Sequence, residues 1–385
     1  MPPATITLAL AGDTMLGRGV ADRLRQDPAI ALVDGGVAEA AAGADLFVLN
    51  LECCISERGE RFPDPRKPFF FRALPVAAER LAELGVDAVT LANNHALDYG
   101  PVALLDTLEL LRAAGIATVG AGADERGARA PIVLESRGFR LRVAAASDHP
   151  REYAAGADRP GVALADQREG DPPDWLLAAA RPDSDADAVL ITPHWGPNMR
   201  TEPLPYIRAA SAELVRAGAT VVAGHSAHVF QGVAGRVLFD LGDFLDDYAV
   251  NAELRNDLGL LWLVTLDAGG PTRVEALPLV LDFCHTRLAR GSERQLVGRL
   301  LRERCAALGT EVSVPTLKGQ VSMKIPPETS SGRTFRLPGY GMPRLKGGGA
   351  GDQFVQVQLS IPTGLSPQEK ELYQDLKKLR SEGTS

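Results

Sequence analysis

Histidines and carboxylates that follow apolar runs are the residues of this sequence best suited to chemistry. The stretch GHSAHV places His225 and His228 directly after the apolar run ATVVA. Asp13 follows TITLALAG, Glu52 follows LFVLNL, and His194 ends AVLITPH. Carboxylates and imidazoles together are typical ligands of divalent ions such as Mn, Fe, Zn or Mg. The sequence therefore predicts a divalent metal site, and the number of ligands makes two ions plausible.

A fifth apolar run, AVTLA, ends in the polar triplet Asn93, Asn94 and His95. Each strand end taken alone has an ordinary structural explanation, since Asn favours turns, Asp caps helices and a single His is commonly a loop residue. Five polar ends in one protein are better explained by a shared site, because the carboxyl ends of parallel strands meet at one edge of a sheet.

Phosphoryl hydrolysis is the chemistry that such a site would suit. Two metal ions a few ångströms apart polarise a phosphoryl oxygen, lower the pKa of a bound water and stabilise the leaving oxygen. A nearby histidine could protonate the leaving group.

The elements that must position these residues repeat one pattern, an amphipathic helix followed by a buried strand. VAAERLAELG leads into VDAVTLANNH, and YIRAASAELVRAG leads into ATVVAGHSAH. Apolar spacing of three and four followed by an unbroken β-branched run predicts α/β architecture with parallel strands. PIVLESRGFRLRVAAAS and LGLLWLVTLDAGGPTRVEALPLVL predict antiparallel hairpins, so part of the sheet structure is expected to be antiparallel.

Charge and composition exclude several classes of function. The net charge of -8 and the pI near 5.4 provide no positive field for nucleic acid or an anionic membrane. The apolar run at the N-terminus is too short for a signal sequence or a membrane span. The four cysteines show no CxxC spacing, which favours a reducing compartment. A cytoplasmic protein without a membrane segment is expected.

Composition changes abruptly between residues 306 and 312. Lys67 is the only lysine before position 311, whereas the chain from Glu311 onward has ten Lys and Arg against seven Asp and Glu. We therefore predict two domains, 1–311 and 312–385.

The ordered motifs of the first domain resemble the bacterial capsule-synthesis protein CapA family, also called the poly-gamma-glutamate synthesis protein PgsA family. That family is similar in turn to the calcineurin-like metallophosphoesterases, so the resemblance implies a two-sheet α/β sandwich with a dinuclear metal site. The matching motifs are GDTMLGR (12–18), NLE (50–52), NNH (93–95), HWG (194–196), GHSAHV (224–229) and LGDF (241–244).

The resemblance assigns roles to individual residues. It implies that His95 is the general acid or transition-state stabiliser and that Asp13 acts with it in catalysis. The metal ligands that it implies are Asp13, Glu52, Asn94, His194, His225 and His228.

The sequence departs from the metallophosphoesterase pattern in three places. Position 15, where those enzymes have the His of Asp-x-His, is Met15. Two residues separate His225 from His228 where the pattern has one, so the two imidazoles are not expected to bind the same ion. Asp243 stands where the CapA family usually has Asn.

Five further residues are candidates for contact with the substrate. Arg18 could bind a phosphate or carboxylate or be solvated, and Trp195 could stack on a substrate or be buried. The full set is Arg18, Asn50, Asn93, His149 and Trp195.

The second domain is predicted to be a small antiparallel β domain that ends in a helix. Apolar and polar residues alternate between Gly and Pro from Val312 onward, and SPQE at 366–369 predicts the start of the helix. IPPETSSGRTFRLPGYGMP and GDQFVQVQLSIP resemble the second C-terminal, client-binding domain of DnaJ-type chaperones and its terminal dimerising segment. The resemblance implies unfolded clients or a homodimer as partners through 312–385.

Three hypotheses follow. The first is a metal-dependent hydrolase of phosphoesterase type in capsule or poly-gamma-glutamate metabolism, acting on a small molecule or an anionic polymer. The second is a non-catalytic assembly factor that keeps the fold and a metal. The third is a client-binding protein that acts through its C-terminal domain.

Overall fold

The computed structural model describes residues 5–168, 170–308, 310–325, 333–342 and 349–356. The chain divides into two compact units, 1–305 and 306–385. This division lies at the start of the interval in which the composition changes.

Short strands and helices alternate along the first unit, as the sequence pattern predicts. The helices are α1 Arg18–Gln26, α2 Gly35–Ala42, α3 Val76–Glu83, α4 Gly100–Ala113, α5 Glu125–Arg129, α6 Asp174–Ala180, α7 Pro205–Ala217 and α8 Gly291–Leu308. The strands, in chain order, are β1 Ile6–Thr14, β2 Leu46–Leu51, β3 Cys54–Ile55, β4 Arg72–Ala73, β5 Ala88–Thr90, β6 Ala117–Val119, β7 Ala121–Gly122, β8 Ile132–Ser136, β9 Phe139–Ser147, β10 Gly161–Val162, β11 Ala188–His194, β12 Val221–Ala223, β13 Val233–Ala234, β14 Val237–Leu238, β15 Asp243–Leu245, β16 Leu258–Asp267, β17 Gly270–Leu281 and β18 Thr286–Leu288.

Two mixed sheets contain most of these strands. The first sheet has the order β18-β17-β16-β1-β2-β5-β6, in which β1, β2, β5 and β6 are parallel and β16 to β18 are antiparallel. The second sheet has the order β13-β14-β12-β11-β9-β8, with the four central strands parallel. The two predicted hairpins, β8 with β9 and β16 with β17, are confirmed.

The two sheets pack face to face around a common apolar core. On β1, Leu8 and Leu10 lie in the core between the sheets, where Val143 and Leu190 of the second sheet also lie. The alternate residues of β1, such as Ala9, lie in a second core with residues of α1 to α4. Alternation along a strand buries both faces of the first sheet in this way. The predicted two-sheet α/β sandwich is confirmed.

β15 extends the first sheet at the point where the functional residues lie. The antiparallel pairing of β1 with β16 ends at Leu10, and β15 then pairs in parallel with the end of β1, placing Asp243 opposite Asp13. Gly12 permits this approach, since a Cβ at residue 12 would lie 1.8 Å from the carbonyl oxygen of Gly242. The C-terminal end of β1 is therefore enclosed by β2 on one side and β15 on the other.

The described part of the second unit consists of two antiparallel pairs, which confirms the predicted antiparallel β structure. The predicted terminal helix at 366–379 lies outside the described residues. The strands are β19 Thr310–Thr316 with β20 Gly319–Ile325, and β21 Thr334–Leu337 with β22 Gln353–Gln356.

None of the helices in the described ranges combines the length and the apolar character that crossing a membrane requires.

Candidate metal centre

Carboxylates and imidazoles from both sheets converge beside the end of β1. Asp13, His194 and His225, which we call the first group, each offer one ligand atom within 4.8 Å of the others. Asp13, His228 and Asp243, the second group, satisfy the same criterion. Asp13 is shared by the two groups, and all five side chains are buried.

The distances within the first group are short. Nδ1 of His225 lies 3.8 Å from Oδ1 of Asp13 and 2.8 Å from Nδ1 of His194. Nε2 of His225 is 2.9 Å from the hydroxyl of Thr192. Nδ1 of His225 therefore faces both the carboxylate of Asp13 and the ring of His194.

The second group is as compact. Nδ1 of His228 lies 2.8 Å from Oδ1 of Asp243 and 3.3 Å from Oδ2 of Asp13. His228 has a φ of 59°, a left-handed conformation that costs a non-glycine residue of order 1–3 kcal/mol and persists only where its surroundings hold it. Oδ2 of Asp240 accepts a hydrogen bond from the Ala227 amide at 2.8 Å and so holds the preceding residue. The two residues between His225 and His228 thus separate the imidazoles into different groups.

The carboxylate of Glu52 lies between the two groups. Its Oε1 is 4.0 Å from Nε2 of His194, and its Oε2 is 3.9 Å from Nδ1 of His228. Neither oxygen has a hydrogen-bond partner among the described residues, and the side chain is fully buried. Nε2 of His194 and Oδ2 of Asp243 are also buried without a partner there. Because unpaired buried polar groups are costly, these atoms indicate that the centre is built for a cation.

Burial shifts the pKa values of the acids upward and those of the histidines downward. It raises the pKa of Glu52 well above its usual value, and the nearby Asp13 carboxylate raises it further. The pKa of Asp243 is also raised, chiefly by burial and then by the neighbouring Asp246 carboxylate. For His225 burial lowers the pKa to about 3, so the ring is a neutral potential ligand at pH 7. A bound cation would offset the repulsion between the carboxylates and accept the imidazole lone pairs. The residues fit a divalent metal.

His95 lies at the edge of this centre and is oriented by Asp98. Its Nδ1 is 2.6 Å from Oδ2 of Asp98, and its Nε2 lies 3.9 Å from Oε1 of Glu52. Asp98 is fully buried and also accepts hydrogen bonds from the Phe71 amide at 2.6 Å and the Tyr153 hydroxyl at 2.9 Å. The Asp98 carboxylate also forms an ion pair with Lys67, whose Nζ lies 3.0 Å from Oδ1. Asp98 therefore fixes the ring of His95 with Nε2 toward Glu52.

The pKa of the His95 imidazole is lowered to about 4, chiefly by burial, although the Asp98 carboxylate opposes the shift. The ring is thus neutral at pH 7 in the protein alone. A phosphoryl anion beside Nε2 would favour the protonated form.

The remaining residues that the sequence predicts for the site fall into two sets, those buried away from the cavities beside the centre and those that line them. Asn50 and Asn93 are buried and support the ligands, since Nδ2 of Asn50 donates to Oδ1 of Asp13 at 2.7 Å and Nδ2 of Asn93 donates to Oδ1 of Asn50 at 3.0 Å. Trp195 is also buried, and its Nε1 donates to the carbonyl of Phe239 at 3.0 Å. These three residues line neither of the two cavities beside the centre.

Arg18, Asn94 and His149 do line cavities. Arg18 is paired with Asp247, with Nη2 to Oδ1 at 3.0 Å. The ring of His149 lies 5.5 Å from that of His194 and is bonded through Nδ1 to Asp148. Oδ1 of Asn94 is buried without a hydrogen-bond partner in the described part of the chain.

The sequence pattern did not place Asp98, Lys67 or Asp243 among the site residues. Asp98 stands three residues after His95, a spacing that could have indicated a contact within one turn. The sequence distinguishes Asp243 only as a departure from the usual Asn. Five of the six histidines of the chain lie at or beside the centre; the remaining one is His285.

Two cavities open beside the centre and have three lining residues in common, Phe69, His95 and Asn198. The polar cavity, of about 350 Å³, is also lined by Lys67 and Arg66. The aromatic cavity, of about 300 Å³, is also lined by Arg18, Phe71, His228 and Tyr248.

The fold and the centre together define a class of protein, a two-sheet α/β sandwich with a buried site fit for a divalent metal. Residues 7–248 match the family described as "Bacterial capsule synthesis protein PGA_cap", and the chain belongs to this family. A relative from Mycobacterium tuberculosis H37Rv, named "Probable polyglutamine synthesis accessory protein", is 33% identical over 344 aligned residues, which cover 76% of this chain and 88% of the relative.

The C-terminal region has a separate relationship. Residues 300–362 match the "DnaJ C terminal domain". The "Chaperone protein DnaJ" of Enterococcus faecalis is 54% identical over 66 residues, which are 17% of this chain and 17% of the chaperone. The similarity thus concerns a small part of that chaperone.

Solved structures show weaker likenesses. A hypothetical protein of Thermus thermophilus aligns with a TM-score of 0.42 at 16% identity, covering 71% of this chain and 98% of that one. The NAD nucleotidase of Haemophilus influenzae aligns with a TM-score of 0.37 at 10% identity, covering 78% of this chain and 62% of that one.

Proposed function

We propose that the first unit is a metal-dependent hydrolase of phosphoesterase type that holds two divalent ions, drawn from Mn, Fe, Zn or Mg. The substrate is a small molecule or an anionic polymer of capsule or poly-gamma-glutamate metabolism, a proposal supported by membership of the capsule synthesis family. The observation that carries the proposal is the pair of buried ligand groups that share Asp13, with the unpaired Glu52 between them.

The residues of the chain have distinct roles in this proposal. Asp13, His194 and His225 hold one ion, and Asp13, His228 and Asp243 hold the other. Glu52 and Asn94, whose buried side-chain oxygens lack a hydrogen-bond partner among the described residues, complete the ligand set. Bound divalent ions supply Lewis-acid polarisation of the phosphoryl oxygens and a water of lowered pKa.

Hydrolysis breaks the bond between phosphorus and the leaving oxygen and forms a bond between phosphorus and the water oxygen. The leaving oxygen gains a proton and the water loses one. His95 transfers a proton to the leaving oxygen through Nε2, which is supported by its position 3.9 Å from Glu52 and by the bond from Asp98 to its other nitrogen.

Two histidine substitutions test the enzyme hypothesis. The full chain is purified, its metal content measured, and hydrolysis of bis(p-nitrophenyl) phosphate assayed with each candidate metal. We expect His95→Ala to keep the metal but lose about 10²- to 10⁴-fold in kcat. We expect His225→Ala to lose both metal and activity. His285→Ala is the matched control and should behave as the unsubstituted protein.

A non-catalytic assembly factor is the second candidate. Met15 favours it, because this position has no histidine ligand to offer. The Met15 side chain is buried, and its sulfur accepts a hydrogen bond from the Gly17 amide at 3.0 Å. Metal without hydrolysis under any metal condition would support this candidate and contradict the enzyme.

The DnaJ-like region supports a further proposal, binding of unfolded clients or homodimerisation through 312–385. Sedimentation of the full chain and of a chain lacking 312–385 compares the assembly states. Suppression of aggregation of a denatured client compares the chaperone function. Equal behaviour of the two chains in both assays would refute this role.

A further inference from the structure

Phe69, His95 and Asn198 line both cavities beside the metal centre. Because the proposed proton donor belongs to both, the two cavities meet at the place where the bond would be broken. Each has a volume of about 300 to 350 Å³, enough for an organic group of several non-hydrogen atoms.

Each cavity also opens beside a different ligand group. The aromatic cavity is lined by His228 of the second group. The polar cavity is lined by His149, whose ring is 5.5 Å from that of His194 in the first group. A phosphoryl group bound beside the two ligand groups would therefore have room for a substituent on either side.

The positively charged residues that line the two cavities already form ion pairs with carboxylates. In the polar cavity Lys67 is bonded to Asp98, and Arg66 is bonded to Asp64 and Glu152. These pairs leave little excess positive charge for a second phosphate in the polar cavity. The substituent that it receives is accordingly uncharged.

In the aromatic cavity the charge of Arg18 is likewise balanced by an ion pair. The guanidinium of Arg18 is paired with Asp247 and lies 5.5 to 5.8 Å from the rings of Phe69, Phe71 and Tyr248. Phe69 is 56% exposed, so much of its side chain is accessible to a ligand. This cavity suits a flat or apolar group, because aromatic faces bind such groups by stacking.

We propose that the substrate is a phosphodiester, with one organic group in each cavity, and that Phe69 is a specificity residue contacted by the group in the aromatic cavity. The inference rests on the proposed phosphoesterase function and specifies its substrate class. A phosphomonoester has a single organic group and would leave one cavity empty.

The experiment compares bis(p-nitrophenyl) phosphate with p-nitrophenyl phosphate on the metal-loaded full chain. We expect kcat/KM to be at least about tenfold higher for the diester. Phe69→Ala should lower kcat/KM for the diester about tenfold and for the monoester less than about threefold, because only the diester fills the aromatic cavity. Phe283→Ala is the control, since Phe283 is 66% exposed and lines neither cavity.

A monoester hydrolysed as well as the diester would overturn the inference while leaving the phosphoesterase function intact. So would a Phe69→Ala protein that lost the same factor on both esters. If neither ester is hydrolysed, the phosphoesterase function fails, and titration calorimetry of both esters against the metal-loaded protein decides the inference. Diester binding about tenfold tighter than monoester binding supports the two-sided site, and equal binding refutes it.

Discussion

At the scale of single residues, the centre is defined by polar side chains that end apolar runs. Asp13, Glu52 and His194 could be predicted because a carboxylate or imidazole directly after a buried strand is unusual unless something binds there. Asp243 could not, since its strand is only three residues long and the surrounding aspartates suggest a solvated turn. The pairing of Lys67 with Asp98 joins distant segments, and no local pattern encodes it.

The buried pair of Lys67 and Asp98 gives a prediction about stability. Lys67→Met leaves the carboxylate of Asp98 buried without its cation, which we expect to lower the free energy of unfolding by about 3–5 kcal/mol. Arg66→Met is the control, since Arg66 is 78% exposed and its ion pairs contribute about 0–1 kcal/mol.

Urea unfolding followed by tryptophan fluorescence measures both variants, because the three tryptophans of the chain, Trp175, Trp195 and Trp262, all belong to the first unit. Equal losses of unfolding free energy in the two variants would show that the buried pair of Lys67 and Asp98 contributes no more to stability than the exposed ion pairs of Arg66.

At the scale of elements, periodicity in the sequence predicted the helices α3 and α7, the strands β5 and β12 that follow them, and both hairpins. It was not sufficient for the second partner of β1. β15 contributes Asp243 only because it lies against Gly12, and that contact depends on the absence of a side chain rather than on any apolar pattern. The wider spacing of His225 and His228 accompanies their separation, because the residues between them place His228 in the second group.

The approach of β15 to β1 can be tested with Gly12→Ala. The added methyl would lie 1.8 Å from the Gly242 oxygen, so β15 must move. We expect a loss of stability of at least about 1–3 kcal/mol and weaker metal binding at the second group, which contains Asp243.

Gly298→Ala in α8 is the matched control, because an added methyl there would meet only the flexible Arg302 side chain, at 3.5 Å. It should be neutral or stabilising by up to about 1 kcal/mol. Thermal unfolding and metal titration measure both variants, and a Gly12→Ala protein as stable and as metal-competent as the control would contradict the proposed contact.

At the scale of the whole molecule, a capsule synthesis family member carries a region similar to the DnaJ C-terminal domain. The change of composition between residues 306 and 312 indicated this organisation, because lysine and alanine usage differ on the two sides. The function that we propose for the first unit requires its two ligand groups to hold ions at the same time.

Metal content of the full chain and two variants tests that claim most directly. Each protein is equilibrated with excess divalent metal, freed of unbound ions and analysed by mass spectrometry of the elements. We expect two ions per unsubstituted chain, about one for Asp243→Ala because only the second group loses a ligand, and fewer than one for Asp13→Asn because both groups share that residue. Asp282→Asn, an exposed carboxylate away from the centre, should retain two. Two ions retained by Asp13→Asn, or none bound by the unsubstituted chain, would contradict the account.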